Sequence, residues 1–219
     1  MMLDMHLHSN HSSDGKESPR NILKHAKKIG LDGVCITDHN TLSGNLEARR
    51  IAGEYGILVI RGMEISSCCG HILGVGIDSE IPRGLSPEET LSRIHDAGGI
   101  AMVPHPFRHL GLGESAVRTM KPDAIEVLNS HSTPKENRMA KALCEDLKLP
   151  MTAGSDAHEL GMMGKARLSI PDVSSEEEAL ECILSGKVKV LGKSRSMAGT
   201  MKDRTQTVTH WIARGFKKM

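Results

Sequence analysis

The chain has 219 residues, 38% hydrophobic and 25% charged, with a formal net charge of +1 and five cysteines. That length fits one globular domain, or one domain with a tail. The cysteines, odd in number and without a C-x-x-C pair, exclude a disulfide framework and read as reduced thiols of a cytoplasmic protein. No run nears the roughly 20 apolar residues of a membrane span. Asp4, His6 and His8 stand where a signal peptide would be apolar. Aromatics make up 2%, so Ile, Leu, Val, Ala and 13 Met must fill the core.

Leu3 to His8 predicts a first strand. It ends in His6 and His8, whose i, i+2 spacing puts both imidazoles on one face, half of a metal site. A polar turn from His11 to Gly15 holds Asp14. Ser18-Pro19 opens a helix with Ile22, Leu23, Ala26 and Ile29 inward, closed by Gly30. A second strand runs from Val34 to His39, and a helix over 43–55 has Leu46, Ile51 and Ala52 inward. A third strand runs from Leu58 to Glu64, with Gly70 to Val75 as its partner strand, carrying His71. The capping box Ser86-Pro87-Glu88-Glu89 starts the next helix. Strand four ends at His105, and 107–121 is expected to be loop, with Arg108 and His109 in it. Strand five spans Ile125 to Leu128 and leads to His131. Thr133-Pro134-Lys135-Glu136 caps a helix with Met139, Ala142, Leu143 and Leu147 inward. Strand six ends in Asp156 and His158. A loop holding Lys165 and Arg167 precedes an extended piece at 168–170, a helix from Ser174-Ser175 to Leu184, and a last strand at Val188–Leu191. Residues 1–192 read as one domain. From Lys193 onward a basic tail carries seven Lys/Arg and one acid, with a short helix over 208–216.

Six times an apolar run ends in a residue able to bind metal. Continuous apolar runs suit strands buried on both faces, and their alternation with helices predicts parallel βα units. A barrel is preferred to an open sheet, because ligands from six strand ends must meet at the C-terminal ends of the strands, where such barrels keep their sites. The candidate ligands are His6, His8, Asp14, His39, Glu64, His71, His105, His131, Asp156 and His158. That is too many for one ion and suits two or three divalent ions (Mn, Fe or Zn) bridged by a carboxylate. Clustered ions suit hydrolytic phosphoryl chemistry. Arg108, Lys165 and Arg167, in loops beside ligand positions, are candidates to grip phosphate oxygens.

His6-Leu-His8-Ser9, Ser13-Asp14-Gly15, Ile36-Thr37-Asp38-His39, Gly62-Met63-Glu64, His105-Pro106 and Gly154-Ser155-Asp156-Ala157-His158 resemble, in order, the motifs of the PHP (polymerase and histidinol phosphatase) superfamily. The resemblance spans about residues 3–160. It implies a distorted (β/α)7 TIM-like barrel and a trinuclear centre hydrolysing phosphoesters. One ion would take His6, His8, Glu64 and Asp156; a second would share Glu64 and take His71 and His105; a third would take Asp14, His39 and His158. His131 would support a ligand or act as proton donor to the leaving group, and Arg108 would act with it. The chain has no polymerase domain and no large insertion between His71 and His105, so short loops must set specificity.

The expected substrate is a small phosphomonoester or a nucleotide phosphate. Two other readings stand beside it: a single-strand exonuclease guided by the basic tail, and a non-catalytic metal-binding interaction module. Asp4 and Asp38, next to ligands, are expected either to support an imidazole N–H or to face solvent. His25, His95 and His210 read as structural, and His11 and His109 as surface loop. Cys68-Cys69 reads as buried thiols on a strand, with a soft ligand pair as the alternative.

Overall fold

A computed structural model describes residues 1–195 of the chain. Its apolar runs are strands of two five-stranded sheets. In the first, β1 (Met2–Leu7) pairs in parallel with β2 (Gly33–Ile36), and β2 with β3 (Leu58–Ile60). Antiparallel β9 (Ala166–Ser169) and β10 (Lys189–Gly192) complete it beyond β1. The second runs β4 (Gly62–Ser66), β5 (His71–Val75), β6 (Ile100–Val103), β7 (Ala124–Asn129) and β8 (Met151–Gly154). Here β4–β5 and β5–β6 are antiparallel, and β6–β7 and β7–β8 parallel.

Five of the six α-helices pack on the outer faces. α1 (Pro19–Lys28) and α2 (Ser43–Tyr55) cover the first sheet, where Ile22, Leu23, Ala26 and Ala48 meet Val34, Ile36 and Val59. α3 (Pro87–Asp96), α4 (Gly113–Met120) and α5 (Pro134–Leu147) cover the second through Ile94, Val117, Met120 and Leu143. α6 (Glu176–Leu184) closes one end of the space between the sheets. Leu3, Met5, Cys35, Ile60, Leu73, Met102 and Ala153 fill that space, packed with Ala179 and Ile183 of α6. Strands covered on both faces explain the unbroken apolar runs.

The expected closed parallel barrel is not formed by the described residues. The third strand breaks at Arg61, whose backbone N–H is taken by Glu176 Oε1 of α6 at 2.7 Å instead of a strand neighbour. Glu64 thereby passes into the second sheet. The two sheets touch through backbone bonds at the strand ends. Asp156 N–H donates to His6 O (2.7 Å), His8 N–H to Ala157 O (2.8 Å), Glu64 N–H to Asp38 O (3.2 Å) and Asn40 N–H to Glu64 O (2.9 Å).

Several finer expectations change. Ser18, Ser86 and Thr133 cap their helices as expected, the last two with full capping boxes. Residues 113–120, expected to be loop, form α4. In α2 the buried face is Gly44, Asn45 and Ala48, while Leu46 is 45% exposed. In α5 it is Asn137, Ala140, Leu143 and Cys144, and Met139 and Ala142 are exposed. Ile29, beyond α1, is exposed too. Cys68 and Cys69 are exposed on a turn, not buried on a strand. Among the described residues no helix is long and apolar enough to cross a membrane. The short helix expected over 208–216 lies outside the described residues.

Candidate metal centre

Six strands and the loops at their ends bring all nine expected ligands into one connected set. Glu64, on β4, is its hub. Its Oε1 lies 2.8 Å from His71 Nδ1 and 3.2 Å from His105 Nε2. Its Oε2 lies 3.2 Å from His8 Nε2, 3.3 Å from His6 Nε2 and 3.5 Å from His39 Nδ1. Asp156 Oδ1 faces the first histidine pair, 3.3 Å from His8 Nε2 and 3.5 Å from His6 Nε2. At the open side, Asp14 Oδ2 lies 3.1 Å from His158 Nε2 and 3.2 Å from His39 Nε2. His6, Glu64, His105 and Asp156 are buried, whereas the Asp14 side chain is 39% exposed.

The chemistry of this set fits divalent cations. The buried Nδ1 atoms of His71 and His39 make no hydrogen bond, although each faces a Glu64 oxygen. His6 and His8 Nε2 lie 3.3 Å apart, between two carboxylates. Four groupings of three or four such side chains have donor atoms within 4.8 Å of one another. Two of these residues, His105 (φ 27°) and Asp156 (φ 54°), adopt positive φ although neither is glycine, a conformation that persists where the surrounding structure over-determines it.

Electrostatics hold the carboxylates ionised. Burial alone would raise Glu64 and Asp156. The histidines around Glu64, and Arg108 and His6 beside Asp156, instead hold both well below the usual carboxylate range. Burial would likewise lower His8, but Asp156 and Glu64 raise it to about 9. His6 is also raised, against burial, by Asp156, Glu64 and Glu126. Without a cation, therefore, protons sit where a cation would.

Sequence reasoning missed the supports. Glu126, buried on β7, has Oε1 3.1 Å from His6 Nδ1, and its Oε2 accepts from His105 N–H (2.9 Å) and Asn129 Nδ2 (2.9 Å). A carboxylate only accepts, so His6 Nδ1 carries the hydrogen and Nε2 turns to the cluster. His158 is oriented the same way, Nδ1 donating to Asp156 O at 2.8 Å. Asn129 Nδ2 also reaches Asp156 Oδ2 (3.3 Å). The available signal was a charged residue inside a run buried on both faces, which must be paired. Asp4 and Asp38 support backbone rather than imidazoles. Asp38 accepts from Ser9 N–H (2.7 Å) and Oγ (2.6 Å), and Asp4 from Ser155 N–H (2.8 Å) and Oγ (2.5 Å).

The PHP domain model matches residues 4–141, and the PHP-associated model matches residues 134–188. This chain belongs to the PHP-domain family. An uncharacterized protein of Methanocaldococcus jannaschii is 41% identical to it over 60% of this chain and 83% of its own length. The 3′,5′-nucleoside bisphosphate phosphatase of Chromobacterium violaceum is 34% identical over 36% of this chain and 29% of its own length. Among solved structures, a two-domain protein from Bacteroides vulgatus containing a predicted PHP-like metal-dependent phosphoesterase superposes with a TM-score of 0.75 at 20% identity. That match covers 88% of this chain and 64% of the other, and it shows the shared fold.

Beside this cluster of expected ligands opens a cleft of about 1500 Å³, with His131 and His158 in its lining. Lys16, Lys165, Arg167 and Lys193 line it, with Met162 and Met163 among its apolar residues. Lys165 Nζ lies 2.9 Å from Met162 Sδ, and Arg167 Nη1 donates to Gly164 O at 2.7 Å. Arg108 is inside the site itself, with Nη1 2.5 Å from Asp156 Oδ2 and 3.4 Å from Asn129 Oδ1. His131 packs 5.7 Å from the His158 ring, and its buried Nε2 has no partner. Burial lowers His131 to about 4, so the ring is neutral near pH 7.

Proposed function

We propose that this PHP-family phosphoesterase hydrolyses the phosphate ester of a nucleotide-sized substrate at a centre of three divalent ions. One observation carries the reading: the two oxygens of Glu64 face different histidine groups, His71 and His105 on one side, His6 and His8 on the other, while Asp14, His39 and His158 form a further group. That is how a bridging carboxylate is placed. Bound there, ions of the Mn, Fe or Zn kind supply Lewis-acid charge and activate water.

The chain's own groups do the rest. Glu126 and the Asp156 carbonyl hold His6 and His158 in the tautomers that direct Nε2 inward. Arg108, held against Asp156, presents its remaining guanidinium N–H groups to phosphate oxygens. Lys165 and Arg167 take a more distant phosphate in the cleft. His131, neutral, donates a hydrogen bond to the leaving oxygen, and water supplies the proton that oxygen takes up. The size of the cleft and its mixed basic and thioether lining suit a base and sugar as well as a phosphate. The named activity of the bisphosphate phosphatase points the same way.

Elemental analysis of the purified chain tests the centre, with two or three ions per chain expected and a single ion ruling it out. Phosphate release from a panel of nucleotides and sugar phosphates tests the substrate, with His8→Ala expected to abolish it and unchanged turnover excluding the site. A second reading, cleavage of a nucleic-acid strand, rests on the path of Lys193, Ser194 and Arg195. They line the same cleft, with Arg195 N–H donating to Ser132 O at 2.9 Å, so the basic segment starts beside the site. Truncation after Arg195 should then reduce oligonucleotide cleavage far more than hydrolysis of a small phosphoester.

A further inference from the structure

Cys68 and Cys69 occupy the turn between β4 and β5, the hairpin whose strands supply Glu64 and His71. Both are exposed, and their Sγ atoms lie 3.1 Å apart. The turn is held from both sides. Ser67 Oγ donates to Gly70 O (2.5 Å) and accepts from Cys69 N–H (3.3 Å), and Cys68 N–H donates to Leu85 O (2.8 Å). Gly70, at φ 153°, fits against the backbone of residues 110–112, where an added Cβ would come within 2.9 Å of Leu110 O. Cys35 and Cys144 are buried and Cys182 is part-buried, so this pair is the solvent-facing dithiol among the described residues. Nothing in the phosphoesterase reading uses it.

We propose that Cys68 and Cys69 are a reversible modification site, closing to a vicinal disulfide by exchange with a small-molecule disulfide. One cysteine sulfur, as thiolate, attacks a sulfur of the small disulfide and releases one thiol equivalent. The neighbouring sulfur then displaces the second. The two cysteines lose two protons and two electrons in all, and the small disulfide is reduced to two thiols. Neighbouring Cα atoms across a trans peptide are about 3.8 Å apart, below the roughly 4.4–6.8 Å of ordinary disulfides. The closed ring is therefore easily reduced, as regulatory disulfides are. The first exchange is bimolecular and the second is not, because the resolving sulfur is already in contact.

The full chain incubated with oxidised glutathione, digested and weighed tests this. The peptide containing residues 68 and 69 should lose two hydrogens, carry no glutathione, and regain both hydrogens with dithiothreitol. Cys68→Ser and Cys69→Ser should each stop at one retained glutathione on the same peptide. A wild-type peptide that keeps its glutathione, stays unmodified, or pairs with another cysteine would overturn the proposal. This outcome is independent of the phosphoesterase assays.

Discussion

Glu126 and His8 show how single residues govern this site. Glu126 touches two histidines, one through its ring and one through its backbone, and fixes the ring of His6. Glu126→Gln keeps the size and loses the charge, and should weaken metal binding by about 10–100-fold while leaving the far-ultraviolet spectrum unchanged. An unchanged affinity in a metal titration would remove Glu126 from the centre. His8 sets the pH behaviour. Its pKa is raised to about 9 and that of His6 is also raised, so both hold protons at neutral pH when no cation is bound. A cation must displace those protons. Apparent metal affinity should therefore rise as pH climbs towards 9 and fall on acidification, because protons compete for the same nitrogens. Calorimetric titrations in two buffers of different ionisation enthalpy should differ in heat; identical heats would mean no proton is released.

At the scale of elements, two helices were read correctly in place and wrongly in rotation. Sequence periodicity turned Leu46 and Met139 inward, whereas the structure buries Asn45 and Asn137. Asn45 Nδ2 donates to Ile36 O (3.1 Å) and Ile60 O (2.6 Å), tying α2 to the ends of β2 and β3. Asn137 exchanges bonds with the Asn129 backbone, its Oδ1 accepting from N–H (3.1 Å) and its Nδ2 donating to O (2.9 Å). A buried amide satisfying backbone carbonyls outranks an apolar stripe, and hydrophobic patterning is blind to it. Asn45→Ala should cost about 1–3 kcal/mol in denaturant unfolding, against a change within about 0.5 kcal/mol for Leu46→Ala. The reverse order would restore the pattern-based orientation. The clustering of the strand-end histidines and carboxylates was legible because i, i+2 spacing and motif order are local. Glu126, Asn129 and the break at Arg61 were not, since each depends on a partner distant in sequence: His6 and Asp156 for the first two, Glu176 for the third.

At the scale of the molecule, the sequence distinguished α/β alternation from other classes but not the way the strands divide. Strands buried on both faces look alike in a closed barrel and in two packed sheets. What separates them is whether the sheet edges pair on continuously; here the two sheets meet through the isolated parallel bridges Leu7–Ala157 and His39–Glu64, and β5, β9 and β10 run antiparallel. The proposed ligands come from both sheets, His6 and His8 from one and Glu64 and His105 from the other. Bound ions should thus stabilise the whole fold. At free metal a hundredfold above Kd, each site contributes about 2.7 kcal/mol, or roughly 5–10 °C in Tm for a chain of this size. Chelation should lower Tm by at least that much, and an unchanged Tm would show that the ions do not couple the sheets.

Glu64 has one more consequence. Its side chain is the hub of the proposed ligand set, while its backbone N–H and carbonyl bond across to Asp38 and Asn40, just beyond β2 of the opposite sheet. A fluctuation that parts the halves along this seam must pull the hub away from its histidines, and ion loss must slacken the seam. Amide exchange at Asn40 and Glu64 should therefore report ion departure as directly as any assay of the ions themselves, making two backbone protons a gauge of whether the centre is assembled.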